Sequence, residues 1–266
     1  MSNLPRVVLT GGVSGGHTFA LIAVARTLQA RYPQGIEFLF IGSEGTFESN
    51  AMSAAGIPVK YVLYGKMRRY FSLLNYLDAF KLPIGFVQAL WHLLWFMPDV
   101  VFSKGGAASV PVVLAARLYR IPVLIHDSDS VAGRANVFLR NFVQKIAIAY
   151  PSAAQFVPAD KTILTGNPVR TEVYSGSVES ARAIFSLAPE KKTILIVGGS
   201  QGARGLNIAV LRILPALLTR GIQVIHQVGN QNIGDVSALA AELGVPLQGG
   251  DYHPVPFLDP QAIGDA

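Results

Sequence analysis

The chain has 266 residues, 51% hydrophobic and 14% charged, so it carries enough apolar side chain for one large or two medium cores and is not a disordered segment. It contains no cysteine, which excludes disulfides and thiolate chemistry, and its 22 Lys+Arg against 16 Asp+Glu leave a net charge of +6. A pI near 9.6 suits nucleic acid, anionic lipid or a phosphorylated substrate, and a mean hydropathy of +0.40 is high enough that part of the surface is expected to meet lipid.

In chain order, Val7-Val8-Leu9-Thr10 reads as a buried strand. The apolar run is too short for a signal peptide and meets glycines at once, in Gly11-Gly12-Val13-Ser14-Gly15-Gly16-His17. A helix follows through 21–28, and Ile36 to Ile41 is the next strand. Further strands are expected at 59–63, 100–102, 123–125 and 146–148. Short apolar runs flanked by glycine and joined through helices imply parallel pairing. Turn chemistry from Pro158 to Gly166-Asn167-Pro168 separates two domains, 1–160 and 161–266. A fresh cycle begins at Thr193 to Val197, enters Gly198-Gly199-Ser200-Gln201-Gly202-Ala203, and continues through a strand at 224–227 and a helix at 236–243. The second domain has fewer strands than a doubly wound sheet usually carries, so the chain reads as a fragment or natural truncation of a longer protein.

Two glycine turns of similar design, each between a strand and a helix, expose backbone N–H groups and a positive dipole end, which is how an α/β protein holds a phosphate. The device occurring twice points to two nucleotide-style domains facing one cleft and handling a diphosphate. The spacing is not G-x-G-x-x-G, which disfavours a nicotinamide enzyme. Lys104-Gly105-Gly106-Ala107-Ala108-Ser109 makes a third turn after a strand, with Pro111 near a helix start and an ammonium suited to a pyrophosphate. His17 is a candidate general base or a structural hydrogen-bonder. Asp127 and Asp129 are rival bases that could equally cap the helix beginning near 131–133.

Basic residues alternate with aromatics from Lys66 through Arg68, Arg69, Tyr70 and Phe71 to Trp91, Trp95 and Phe96. Such an amphipathic segment lies on an anionic membrane surface, or else forms a buried helix pair with a solvated basic end. Pro83 and the short apolar runs argue against a membrane span. Nucleic acid is disfavoured, because the basic residues cluster beside apolar helices and no recognition motif is present.

On Ser14-Gly15-Gly16-His17, Gly166-Asn167-Pro168-Val169-Arg170 and Val197-Gly198-Gly199-Ser200-Gln201-Gly202-Ala203, the chain resembles the MurG family of peptidoglycan N-acetylglucosaminyltransferases. Gly105-Gly106 with Ser109, His126-Asp127-Ser128-Asp129, His226-Gln227 and Phe257-Leu258-Asp259 add to the resemblance. It implies an α/β fold of two Rossmann-like domains of the GT-B glycosyltransferase type, the second incomplete here. It also implies inverting transfer of N-acetylglucosamine from UDP-GlcNAc to lipid I, an undecaprenyl-diphosphate-linked muramoyl-pentapeptide, at the cytoplasmic face of the cell membrane, with no cofactor.

By the same resemblance, His17 and Asp127 are the catalytic candidates. Ser14, Gly15, Gly16, Asp129, Arg170, Ser200, Gln201 and the backbone of Leu258 serve UDP-GlcNAc, and Lys104, Gly105, Gly106 and Ser109 face the acceptor diphosphate. The chain departs from the family in Ser14 for threonine, Ala107 for tyrosine, and Asp129 for an amide. Asp127-Ser128-Asp129 has Asp-x-Asp spacing, so a divalent ion stays open as the minor alternative. The rival functional readings are a related diacylglycerol glycosyltransferase and a shortened, acceptor-binding form without catalysis.

Overall fold

A computed structural model describes residues 4–12, 15–44, 46–65, 74–199, 202–247 and 249–266. Ser14, Ser200, Gln201 and the basic segment 66–73 lie outside the described residues. The described chain forms two compact units that meet in sequence at Val169 and Arg170.

Unit one alternates strand and helix: β1 (Arg6–Thr10), α1 (Gly15–Arg31), β2 (Glu37–Gly42), α2 (Thr46–Ala54), β3 (Val59–Tyr61), α3 (Leu74–Phe96), β4 (Val100–Ser103), α4 (Ser109–Leu118), β5 (Val123–Asp127), α5 (Arg134–Leu139), β6 (Lys145–Ile148) and β7 (Thr162–Leu164). The strands form one parallel sheet in the order β3-β2-β1-β4-β5-β6-β7. Consecutive side chains of a strand point to opposite faces, and both faces are apolar here. Val8, Leu39, Ile41 and Val101 pack under α3, α4 and α5 with Ala89, Leu93, Val112 and Leu139. Val7, Leu9, Phe38, Phe40 and Phe102 pack under α1 and α2 with Leu21, Ile22, Ala25 and Met52. This double burial is why the strands read as continuous apolar runs rather than alternating ones.

Two local expectations need correction. The stretch read as pure turn between 158 and 168 contains β7, a three-residue edge strand whose Ile163 and Leu164 are exposed; its short, unburied sequence carries no strand signal. The strand expected over 59–63 ends at Tyr61, beyond which the N–H of Leu63 is bound by the Gln88 side chain at 2.7 Å instead of by a neighbouring strand.

Unit two comprises α6 (Val178–Phe185), β8 (Lys192–Val197), α7 (Arg204–Thr219), β9 (Ile222–Gln227), α8 (Ile233–Glu242), β10 (Tyr252–Val255) and α9 (Pro260–Asp265). Its three parallel strands are ordered β10-β9-β8. Leu211, Leu214, Val224, Val236, Ala240 and Tyr252 fill one face beneath α7 and α8. Ala181, Phe185, Ile225 and Leu258 fill the other beneath α6 and α9. Both short helices are capped: Ser177 Oγ accepts from the Ser180 N–H, and Asp259 Oδ1 accepts from the Ala262 N–H at 2.8 Å.

Candidate functional site

The order of the seven strands reverses direction between β1 and β4. In an open parallel sheet, ligands bind outside the carboxyl ends of the strands at such a switch point. The register aligns Thr10 with Ser103 and Ser103 with Ile125. The next residues of the three strands, Gly11, Lys104 and His126, therefore emerge side by side at that edge.

The first and third glycine turns meet there in backbone contact. A Cβ on Gly12 would lie 3.2 Å from Gly106 Cα, and one on Gly106 would lie 2.5 Å from Gly12 Cα. Gly105 and Gly106 take φ of +82° and +90°, which side-chain-bearing residues rarely adopt, and a Cβ on Gly105 would run into the Asn136 amide. Glycine is thus required at this turn for both conformation and space. Gly15 and Gly16 open α1, and a Cβ on Gly16 would meet nothing within 4 Å among the described residues. The N–H groups of the helix's first turn lack intrahelical acceptors and carry the positive end of the helix dipole.

His17 follows on α1, its ring lying over Gly12. Burial, and secondarily the Lys104 charge, lower the His17 pKa, against opposing effects of Asp129 and Asp127. A neutral imidazole is the form that takes up a proton. Ser109 is fully buried, and its hydroxyl donates to the Gly106 carbonyl at 2.8 Å, which shapes the turn from beneath.

Lys104 is also buried, at 2% exposure. Its Nζ donates to His126 Nδ1 at 2.7 Å and to Ser128 Oγ. Burial lowers its pKa to about 8, with the Asp127 and Asp129 charges holding it up. His126 is held below the usual histidine range by burial, while its hydrogen bond to the Gly166 carbonyl, at 2.8 Å, works in the opposite direction.

Asp127 sits at the end of β5 with its carboxylate already engaged. Oδ1 accepts the Asp129 N–H at 3.1 Å, and Oδ2 accepts the Gly133 N–H at 2.9 Å and Asn136 Nδ2 at 2.8 Å. These contacts fold the loop onto α5, the capping use of aspartate. Asp129 is exposed, and its charge acts on both His17 and Lys104. Among the described residues, no group of three His, Asp or Glu side chains is placed to hold a metal ion.

In unit two, Gly198, Gly199 and Gly202 surround the second turn. Gly199 and Gly202 have φ of +80° and +77°. The turn is tied to β9 by Gln227 Nε2, which donates to the Gly199 carbonyl at 3.1 Å, and is closed by the Gly202 N–H, which donates to the same carbonyl at 3.0 Å. Ala203 precedes α7, so this turn also delivers a helix N-terminus. Leu258 is buried among Ala181, Phe185 and Ile225. Arg170 is half-buried at the first position of unit two.

The structure thus gathers Gly16, His17, Lys104, Gly105, Gly106, Ser109, Asp127 and Asp129 around one sheet edge. Arg170 and Leu258 belong to the second unit. Sequence reasoning missed Asn136 and the Gly166 carbonyl. Asn136 is 5% exposed within Arg134-Ala135-Asn136-Val137-Phe138-Leu139, where an amide on the buried side of a short apolar helix was the available signal. The Gly166 carbonyl carries no side-chain signal at all.

Residues 7–148 match the glycosyltransferase family 28 N-terminal domain, and residues 193–266 match the glycosyltransferase family 28 C-terminal domain. The UDP-N-acetylglucosamine--N-acetylmuramyl-(pentapeptide) pyrophosphoryl-undecaprenol N-acetylglucosamine transferase 2 of Bacillus cereus is 39% identical over 232 residues, which are 87% of this chain and 65% of that protein. The corresponding transferase of Lachnospira eligens is 40% identical over 87% of this chain and 64% of its own length. This chain therefore spans somewhat less than two thirds of these curated relatives. The crystal structure of Acinetobacter baumannii MurG superposes with a TM-score of 0.66 at 27% identity, covering 98% of this chain and 68% of that one. The two units are accordingly Rossmann-like domains of the GT-B type. With its N-terminal match alone spanning more than half of the residues, the chain belongs to glycosyltransferase family 28.

Proposed function

We propose that this protein is an inverting glycosyltransferase, independent of metal, that moves N-acetylglucosamine from UDP-GlcNAc to the muramoyl 4-hydroxyl of lipid I. The observation that carries the reading is the pair of glycine turns in backbone contact at the β1/β4 switch point, with His17 of α1 beside them. The relatives' names supply the substrates.

In this mechanism the acceptor hydroxyl attacks the anomeric carbon of the donor sugar. His17 takes the hydroxyl proton as the new bond forms, and UDP departs as the old one breaks. Negative charge on the departing diphosphate is met by prearranged N–H groups and helix dipoles. Gly105 and Gly106 lie along the acceptor diphosphate, Lys104 supplies positive charge from beneath the turn, and Ser109 holds the Gly106 carbonyl. On the donor side act Ser14, Gly15, Gly16, Asp129, Arg170, Ser200, Gln201 and the Leu258 backbone. Asp127, held by three N–H donors, orients the loop that carries Asp129, and His17 takes the proton.

The acceptor is lipid-linked, and α3 supports docking on an anionic membrane at the cytoplasmic face. Ala89 and Leu93 turn inward, whereas Ile84, Val87, Trp91, Leu94 and Trp95 are exposed, Trp95 at 70%. Trp91 and Trp95 pack edge to face at 5.6 Å, an amphipathic surface suited to the headgroup region. Among the described residues no helix is long and apolar enough to cross a membrane.

The test is an assay of labelled UDP-GlcNAc against lipid I and against diacylglycerol, with calorimetric titration of UDP-GlcNAc alongside. Labelled lipid II is the expected product. A labelled diacylglycerol product without lipid II would overturn the acceptor assignment. Lipid I binding with no UDP-GlcNAc binding would overturn transfer by this chain.

A further inference from the structure

We propose that Lys104 is a positioning residue: pinned between His126 and Ser128, it fixes the His126 tautomer and thereby ties the glycine turn after β4 to the Gly166 carbonyl in the linker leading to unit two. An ammonium donates and cannot accept, so the 2.7 Å contact between Lys104 Nζ and His126 Nδ1 requires a lone pair on Nδ1. A carbonyl accepts and cannot donate, so the 2.8 Å contact between His126 Nε2 and the Gly166 oxygen requires the proton on Nε2. The two partners dictate the same neutral tautomer from opposite sides of the ring.

Position gives this chain of contacts its effect. Lys104 follows β4 and His126 belongs to β5, neighbouring strands. Gly166 follows the edge strand β7, 40 residues beyond His126, so no local turn brings it to the ring. Gly166 has φ of +73° and lies three residues before the end of unit one at Val169. The stem of Lys104 packs on the first glycine turn as well, since a Cβ on Gly11 would lie 3.2 Å from Lys104 Cβ. A buried side chain thus touches the first turn, belongs to the third, and reaches the linker through a single imidazole. Lys104→Met keeps the stem and removes the donor, leaving nothing to select the tautomer from the Nδ1 side.

The inference depends on the geometry of unit one and stands apart from the sugar chemistry proposed above. Its test is imidazole nitrogen NMR of the histidine-labelled protein, with amide exchange followed over 165–169. The unaltered protein is expected to show His126 with its proton on Nε2 alone. Lys104→Met, in which only the Gly166 carbonyl still selects the tautomer, is expected to show a measurable fraction of the Nδ1–H form and exchange in the linker faster by about tenfold, with β1 amides unchanged. Ser128→Ala, which removes the second acceptor of Nζ, is expected to act in the same direction by a smaller factor. A proton on Nδ1 in the unaltered protein overturns the proposal whatever the variants do. So does a folded Lys104→Met with one tautomer and unchanged linker exchange. If Lys104→Met does not fold, unchanged linker exchange in Ser128→Ala counts against it in the same way.

Discussion

The glycine turns after β1 and β8 share a strand-turn-helix design but are set in different surroundings. The turn after β1 emerges in the interior of a seven-stranded sheet, with β2 on one side and β4 on the other. The β4 turn presses against it, so two glycine backbones share one edge. The turn after β8 follows a strand paired with β9. In it, a Cβ on Gly199 would meet nothing within 4 Å among the described residues, whereas one on Gly202 would run into the Val228 carbonyl oxygen after β9. Each turn thus meets backbone from a neighbouring strand's loop, Gly106 against Gly12 and Gly202 against Val228, and the contrast lies at Gly199, which holds its positive φ in open space.

The largest expected effect asks whether proton transfer resides in the first unit alone. His17→Ala is expected to lower kcat for lipid II formation by about 10²–10⁴-fold, with UDP-GlcNAc affinity nearly unchanged by calorimetry. A parallel loss of donor affinity would assign His17 to the donor grip and remove this asymmetry. A smaller contrast comes from matched glycine substitutions. Gly106→Ala combines a strained φ with collision against Gly12, and is expected to cost about 3 kcal/mol or more in urea unfolding and to abolish inorganic pyrophosphate binding. Gly199→Ala carries the strain without the collision, and is expected to cost about 1 kcal/mol. Equal losses would mean that backbone conformation, and not the packed pair of turns, sets the difference.

Sequence patterning reached the central part of this arrangement and faded toward its edges. Strands buried on both faces, such as Val7 to Thr10 and Ile36 to Ile41, announce themselves as apolar runs because each side chain meets a helix. β7 did not, because edge residues such as Ile163 and Leu164 bury little and pair on one side only. The glycine turns were legible from composition, since positive φ and close backbone approach both demand glycine. That Gly12 and Gly106 touch was not, because adjacency of β1 and β4 follows from strand order and not from local spacing. The hydrogen-bonded position of Lys104, and the choice between capping and catalysis for Asp127, were undecided for a related reason. Their types permit ligand contact or catalysis, and only burial and hydrogen-bond partners reveal that both are engaged within the loops.

Acid stability sharpens the comparison further. His226 on β9 is fully buried, its Nδ1 is 3.0 Å from Tyr252 Oη, and its Nε2 has no hydrogen-bond partner among the described residues. Burial lowers its pKa from 6.5 to about 4. Between those values the unfolded chain binds a proton that the folded unit refuses, so this contribution is complete above pH 6.5 and is lost as the pH falls toward 4. The loss approaches about 3 kcal/mol at the acid end. His17 and His126 shift in the same direction, but Asp127 opposes both. Amide resonances of unit two are therefore expected to vanish before those of unit one in an acid titration, and His226→Gln is expected to flatten the difference. Earlier loss of unit one would reverse the assignment.

The smallest expected difference concerns surface charge. Arg6 Nε meets Glu37 Oε2 at 3.0 Å in unit one, with side chains 30% and 46% exposed. In unit two, Lys191 Nζ reaches both oxygens of Asp251, at 2.7 and 2.8 Å, with side chains 35% and 26% exposed. Water and salt screen both pairs, and each is worth about 0.2–1 kcal/mol. The Lys191 pair is the less exposed and spans the start of β8 and the approach to β10, so Asp251→Asn is expected to cost slightly more than Glu37→Gln. Both costs are expected to shrink in about 1 M salt, where the Debye length falls to about 3 Å. Arg6 also donates to the Phe96 carbonyl at 3.2 Å, and its backbone N–H donates to Asp99 Oδ2 at 2.8 Å. The unit-one residue thus keeps other anchors when Glu37 is neutralised, whereas an Asp251 cost that survives high salt would show that geometry, and not charge, holds the two ends of the smaller sheet together.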